Sequence, residues 1–290
     1  MQPRFHRRRS VVKSLRRIAV EQINAALAAI ADEKTSEAEK IHEVRQQLKR
    51  LRALIRLPHK RLAGYREENA ALRDLGRRLA RTRDADVLGE TFDEVAQEAA
   101  LKLPRLRADM TAAAGAGRNE VRDALLRGEI AAGLRLARRR VRHWRVQGRG
   151  FEAIAGGLAR VYRDMRDMEA RAMADPTPEN FHEWRKQAKY HANQLALLRP
   201  VAPKIIKGYR KIADDLGTTL GKHHDLDGLI AALRRAEGAS GDKEEALLAA
   251  IRRRNADLER CAFRLGDELT AERPDDFLRR IRSGWRRWRA

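Results

Sequence analysis

Histidine, arginine and lysine recur three and four residues apart in the segment IHEVRQQLKRLRALIRL, residues 41–57. On a helix turning 100° per residue, His42, Arg45, Lys49, Arg52 and Arg56 fall within an arc of about 80°. The adjoining arc carries Ile41, Val44, Leu48, Leu51 and Ile55. Such a helix buries its apolar side and holds a line of cations beside it. Arg offers forked donors that fit oxyanions, Lys offers a point charge, and neutral His can donate one hydrogen bond. The chemistry open to this pattern is the binding of consecutive anionic groups. So many like charges repel one another unless an anion balances them.

A second segment repeats the pattern. HEVRQQLK (42–49) matches HEWRKQAK (182–189), with His, Glu, Arg, Gln and Lys in register. Farther on, LGRRLARTRDADVL (75–88) matches LGTTLGKHHDLDGL (216–229), with Leu, Gly, Leu, Asp, Asp and Leu in register. A proline follows each first motif, at 58 and 200. Two matched segments in the same order at nearly one separation indicate an internal repeat. The chain reads as two related helical halves, approximately 1–147 and 148–290. In the second copy His182, Arg185 and Lys189 share an arc, with Lys186 nearby and Phe181, Trp184, Ala188 and Leu195 on the apolar side. A single cationic run is most often a solvated helix face. Recurrence of the same cations at the same helical positions favours binding. Halves related by a pseudo-twofold would set the two stripes across a shared groove, where a polyanion relieves their repulsion.

Composition agrees. Among 290 residues, 63 Lys and Arg stand against 41 Asp and Glu, a net charge of +22. The partner classes this favours are nucleic acid, an anionic membrane surface and phosphate polymers. Aromatic residues are only 5% of the chain, which argues against the stacking platforms of single-stranded nucleic-acid binders. Cys261 is the single cysteine, so no internal disulfide forms, and a reducing cytosol fits. The longest apolar run, INAALAAIA (23–31), is far short of the ~20 residues of a membrane span. The Arg-rich, acid-poor start has the composition of an organelle transit peptide. Its pattern runs on smoothly into a longer helix, and that reading is preferred.

Ala, Leu, Arg and Glu dominate, and the fold class expected is all-α. Helices are expected at 10–32, 36–57, 66–82, 84–100, 105–114, 119–146, 151–174, 177–198, 204–221, 225–236, 242–272 and 275–288. Ser36 with Glu39 forms a capping box, Pro58, Pro200 and Pro203 stop helices, and GRG (148–150) and DPTPEN (175–180) are loops.

The paired motifs H-x-x-R-x-x-x-K-R-L-R and H-x-x-R-K-x-x-K, each followed by L-G-x-x-L and D-x-D, resemble those of the CHAD domain, the histidine-containing α-helical domain. The resemblance covers nearly the whole chain. It implies one unit of two similar helical bundles around a basic central channel that binds inorganic polyphosphate and associates with polyphosphate granules. Domains of this family often accompany a triphosphate-tunnel catalytic domain. Carried over by position, the resemblance marks His42, Arg45, Lys49, Arg50 and Arg52, and in the second copy His182, Arg185, Lys186 and Lys189. The second helix departs from the pattern at YHANQ (190–194), which places Ala192 opposite Arg52 and makes the two channel walls unequal. The expected location is cytoplasmic, at polyphosphate granules.

Further cations are candidates for contact with the anion: Arg9, Lys13, Arg16, Arg56, Arg138, Arg142, Arg163, Lys207, Arg210 and Lys211. For these a solvated surface role is at least as good a reading. The segment HHDLD (223–227) invites a metal reading, but its counterpart TRDAD (82–86) has no His. Asp84 and Asp225 read better as helix N-caps, with Asp86 and Asp227 complementing the helix dipole. No metal and no cofactor is expected. EAEK (37–40) lacks the spacing of the tunnel enzymes' E-x-E-x-K, and no phosphate-binding Gly loop, G-x-S-x-G or H-E-x-x-H occurs. The expectation is a polyphosphate-binding module that is not an enzyme. Nucleic-acid binding, a metal-dependent phosphoanhydride hydrolase and an adaptor to granules remain open as alternatives.

Overall fold

The computed structural model describes residues 3–79, 84–115, 120–235 and 241–290, the side chains of 84–86, 113–115 and 120–126 excepted. Among the described residues the chain forms eleven α-helices, with no strand beyond one isolated bridge between Leu62 and Val146. They are α1 (Val11–Ala31), α2 (Glu37–Arg56), α3 (Tyr65–Arg78), α4 (Asp84–Glu98), α5 (Pro104–Gly115), α6 (Glu120–Val141), α7 (Glu152–Ala174), α8 (Pro178–Leu198), α9 (Pro203–Leu233), α10 (Asp242–Thr270) and α11 (Pro274–Arg289).

Helix starts fall where a short side chain can hold a free amide. The Ser10 hydroxyl accepts from the Lys13 amide at 3.3 Å and opens α1. Ser36 accepts from the Glu39 amide at 3.3 Å while Glu39 accepts from the Ser36 amide at 3.0 Å, the expected capping box of α2. Thr177 caps α8 ahead of Pro178.

Two expectations fail at boundaries. The helices read as 204–221 and 225–236 are one helix, α9, so Asp225 lies inside it and is not an N-cap. Gly217 and Gly221 lie within this helix, both buried under side chains of α8. The side chains of Asp84 and Asp86 lie outside the described residues. The helix expected to reach residue 146 ends at Val141. Beyond it the Arg145 carbonyl accepts from the Ala63 amide at 3.0 Å and the Arg61 carbonyl from the Gln147 amide at 2.9 Å. The link to the second half turns at Gly148 and Gly150, with φ of 85° and 53°, a backbone region that favours glycine.

The main core gathers apolar faces of α1, α2, α6, α7, α8, α9 and α11, with Trp184 and Tyr162 wholly buried. A separate apolar cluster joins Phe92 and Val95 of α4 to Met110 of α5, Leu229 and Leu233 of α9 and Leu247 and Ile251 of α10. First-half helices therefore complete a core with second-half helices. Arg254 of α10 fastens this cluster, donating to Glu94 at 2.7 Å and Glu98 at 3.0 Å on α4. At the centre, α2 and α8 cross at Ala53, which is fully buried and whose carbonyl accepts from Gln194 Nε2 at 3.2 Å.

Candidate functional site

Helix α2 is seated by Val44, Leu48, Leu51, Leu54 and Ile55, all buried. This fixes the rotation of the helix and places its cations along the rim of the core. Arg45 Nη1 donates to the Leu79 carbonyl at 2.9 Å. Arg52 Nε and Arg56 Nη1 both donate to Asn69 Oδ1, at 3.4 and 3.0 Å, and Arg56 also reaches the Arg52 carbonyl at 3.0 Å. Both guanidinium groups lie over the ring of Tyr190 on α8, with Cζ 5.7 Å (Arg52) and 3.8 Å (Arg56) from its centroid. Burial, opposed by Tyr190 and reinforced by the nearby Arg56 and Arg73, lowers the pKa of Arg52 from its ordinary value. Here the basic side of α2 rests on α8, through Tyr190.

Helix α8 packs antiparallel to α9, and its cations descend in three layers. Lys189 lies against Gly217, Arg185 against Gly221, and the His182 ring lies 4.7 Å from the His224 ring. A side chain at Gly217 would begin 2.7 Å from Lys189 Cε, and one at Gly221 would begin 3.2 Å from Arg185 Nη2. The glycines thus provide the trough in which two cations lie. Lys189 has its pKa lowered by burial, with Asp214 pulling the other way. Asp214 also pairs with Arg210 at 3.2 Å, so this predicted accessory cation sits one turn along the same helix face.

The remaining predicted residues lie apart from this line. Arg50 sits 4.0 Å from Glu43, and Lys186 pairs with Glu183 at 2.5 Å. His42 is 3.1 Å from the Gln46 amide and lines a cleft of about 520 Å³ together with Asp32, Glu39, Glu43 and Glu90. The surroundings of His42 are therefore acidic. Arg16 is taken up by the Trp144 carbonyl, at 3.2 Å from Nε and 2.5 Å from Nη2, and Arg138 by Asn24 at 2.9 Å. Arg142 lies past the end of α6 and does not share a helix face with Arg138. Lys211 pairs with Asp215 at 2.7 Å, while Arg9, Lys13, Arg163 and Lys207 are exposed. Ala192 is buried, so the position matching Arg52 has no place in the groove.

Sequence reading passed over Tyr190, Asn69 and Arg73, and weighed His224 only as part of HHDLD. For the first repeat segment, aligned register carries a signal: Asn69 stands opposite Arg210 and Arg73 opposite Asp214, extending the L-G match backwards by one and two turns. The second wall thus has an acid where the first has a cation. Tyr190 is adjacent to Lys189 in sequence, but only the helix crossing gives it a role.

His223 belongs to the scaffold. Its Nδ1 lies 3.0 Å from Asp227 and its Nε2 3.0 Å from Glu259, and Asn255 donates to Asp227 at 3.0 Å. Burial disfavours charge on this ring, but the two carboxylates outweigh it and raise its pKa. Asp227 therefore ties α9 to α10 and does not serve a helix start. Among the described residues no group of three or more His, Cys, Asp or Glu could hold a metal ion, and no helix is long and apolar enough to cross a membrane.

The arrangement presents basic donors along α2 and α8. The profile of the CHAD domain family matches residues 17–234. The crystal structure of the CHAD domain from the plant Ricinus communis superposes with a TM-score of 0.58 at 20% identity, covering 99% of this chain and 95% of that chain. Among curated proteins none matches the chain. The matched stretch holds both motif helices and the glycine trough of α9, and the chain belongs to the CHAD domain family.

Proposed function

We propose that the protein binds inorganic polyphosphate along the groove formed by α2, α8 and α9 and associates with polyphosphate granules in the cytoplasm. The observation that supports this reading is a pair of ordered basic stretches, Lys189 and Arg185 laid on Gly217 and Gly221, and Arg52 and Arg56 laid on Tyr190. Polyphosphate carries roughly one negative charge per phosphate and has no bases. A row of forks and point charges suffices to hold it.

Tyr190 favours this polymer over single-stranded nucleic acid. Its ring is 5% exposed and covered by two guanidinium groups, so no base can stack on it. The reading is of a binding module and not an enzyme: Asp214, a carboxylate beside the row, is engaged by Arg210.

Direct competition at physiological salt tests this. Long-chain polyphosphate is expected to displace duplex DNA at equal phosphate concentration. Displacement of polyphosphate by DNA would favour a nucleic-acid partner. A fluorescent fusion is expected to form foci in polyphosphate-accumulating cells. Foci that persist in cells unable to make the polymer would point to another target.

A further inference from the structure

The groove ends in an unusual pair. Where Lys189 and Arg185 meet glycines on α9, His182 meets a second histidine, His224, with ring centroids 4.7 Å apart and planes at 44°. His182 and His224 belong to different helices, so the pair exists only because α8 and α9 run antiparallel. In the aligned repeat, His224 stands at the position of Arg83, so both copies carry a basic residue there. His182 Nδ1 is buried and has no hydrogen-bond partner among the described residues. His224 keeps part of its surface in solvent while its ring packs against that of His182.

Charged groups around the pair are unequal in sign and effect. On α8 they are Arg185, Lys186 and Glu183; on α9 they are His223, Asp225 and Asp227. Glu183 is held by Lys186, and Asp227 is held by His223, which also bonds Glu259 of α10. Burial first, then His224, Lys186 and Arg185, push His182 down to about 4. Burial first and then Arg185 lower His224 as well. Without an anion both rings are therefore neutral near pH 7. A phosphate oxyanion beside them reverses the balance, because it stabilises the imidazolium form and screens Arg185.

We propose that His182 and His224 form a proton-accepting phosphate subsite at the end of the α8–α9 groove, so that polyphosphate binding draws a proton from solvent. The inference rests on the polyphosphate reading and adds His224 to the contacting residues. By linkage, a proton taken up on binding makes affinity rise as pH falls. The proton goes to a ring nitrogen, and the non-terminal phosphates, ionised throughout this range, supply the countercharge. Gln in place of His keeps an N–H donor of similar reach but cannot accept the proton.

The experiment is calorimetry with long-chain polyphosphate at fixed ionic strength, at pH 7.5 and pH 5.5, in two buffers of different ionisation enthalpy. For the wild-type chain, affinity is expected to tighten about tenfold on acidification, with about one proton taken up near pH 6.5. His224→Gln and His182→Gln are each expected to cut that pH effect to less than about threefold and to reduce the proton count. Ring proton shifts of His182 and His224, followed by NMR against pH, supply a second readout: both are expected to titrate at higher pH with polyphosphate than without. Wild-type binding that is equal at the two pH values overturns the subsite and leaves the polyphosphate reading standing. So does a His224→Gln variant that keeps the full pH effect. No binding at either pH overturns the polyphosphate reading and this inference with it.

Discussion

The guanidinium of Arg56 lies 3.8 Å from the centroid of the Tyr190 ring, within the main crossing of α2 and α8. Tyr190 thereby holds two like charges of α2, Arg52 and Arg56, against α8. A buried cation–π contact is worth about 2 kcal/mol. Tyr190→Leu keeps most of the volume and loses the quadrupole. It is expected to weaken polyphosphate affinity about tenfold, measured by calorimetry, with Tyr190→Phe close to wild type.

The two stripes are expected to act together. Replacing Arg45, Lys49 and Arg52 with Ala, or Arg185, Lys186 and Lys189 with Ala, is expected to flatten the plot of log affinity against log salt by about 2 to 3 in slope. The comparison variant must spare Arg254, because that residue bonds Glu94 and Glu98 and fastens the satellite core. Lys243, Arg252 and Arg253 are exposed on α10 and serve instead. If removing those three flattens the slope as much, the protein is a diffuse polycation without a built site.

Two glycines separate stability from binding. At Gly217 a new Cβ meets the flexible end of Lys189, which can swing away. Gly217→Ala is expected to leave stability near wild type, since helix propensity gains about 1 kcal/mol, while affinity falls several-fold. At Gly157 a Cβ meets the carbonyls of Arg56 and Leu57, which are backbone and cannot swing. Gly157→Ala is expected to cost about 1–3 kcal/mol in denaturant unfolding. Equal losses of affinity and stability at Gly217 would contradict the trough.

Acid should destabilise the empty protein. His191 is fully buried, neither ring nitrogen has a hydrogen-bond partner among the described residues, and burial pushes it down to about 3. The unfolded chain protonates it near pH 6.5, so the unfolded state binds more protons below that pH. Stability from the neutral ring is complete above about pH 6.5 and is lost as pH falls toward 3. The melting temperature is expected to drop between pH 7 and pH 5, and His191→Leu to reduce the drop.

Glu169 works in the opposite sense. Burial raises its carboxyl to about 7, against the Thr270 hydroxyl that donates to Oε2 at 3.0 Å. A raised carboxyl contributes stability below its unfolded pKa, and that contribution is lost as pH rises through about 7. Glu169→Gln is expected to raise the melting temperature at pH 8 by on the order of 2–4 °C and to steepen the fall toward pH 5. A lower melting temperature for Glu169→Gln at pH 8 would count against this.

Ends of helices were legible where a local signal sets them: Ser36 as a cap, and Pro58 and Pro200 just past the ends of α2 and α8. Asp225 misled, because an Asp suits a helix N-cap by local signal but here lies inside α9, whose Gly217 and Gly221 permit the close approach of Lys189 and Arg185. The stripe residues were legible through periodicity and repetition. Their partners were not, since Tyr190 and Asn69 are brought to Arg52 and Arg56 only by packing between helices. His224 was visible within the repeat, but its meeting with His182 depends on the antiparallel register of α8 and α9.

The satellite core has a consequence for synthesis. Phe92 and Val95 find their partners Leu247 and Ile251 only after more of the chain is made. At ribosomal rates of about 5–20 residues per second, that wait is on the order of 8–30 s. During this interval the apolar faces of α4 and α5 are without their covering helices. Slow closure of such distant contacts raises the hazard of misassembly. A chain stalled or cut before α10 would expose a sticky surface, one that a chaperone or protease could recognise.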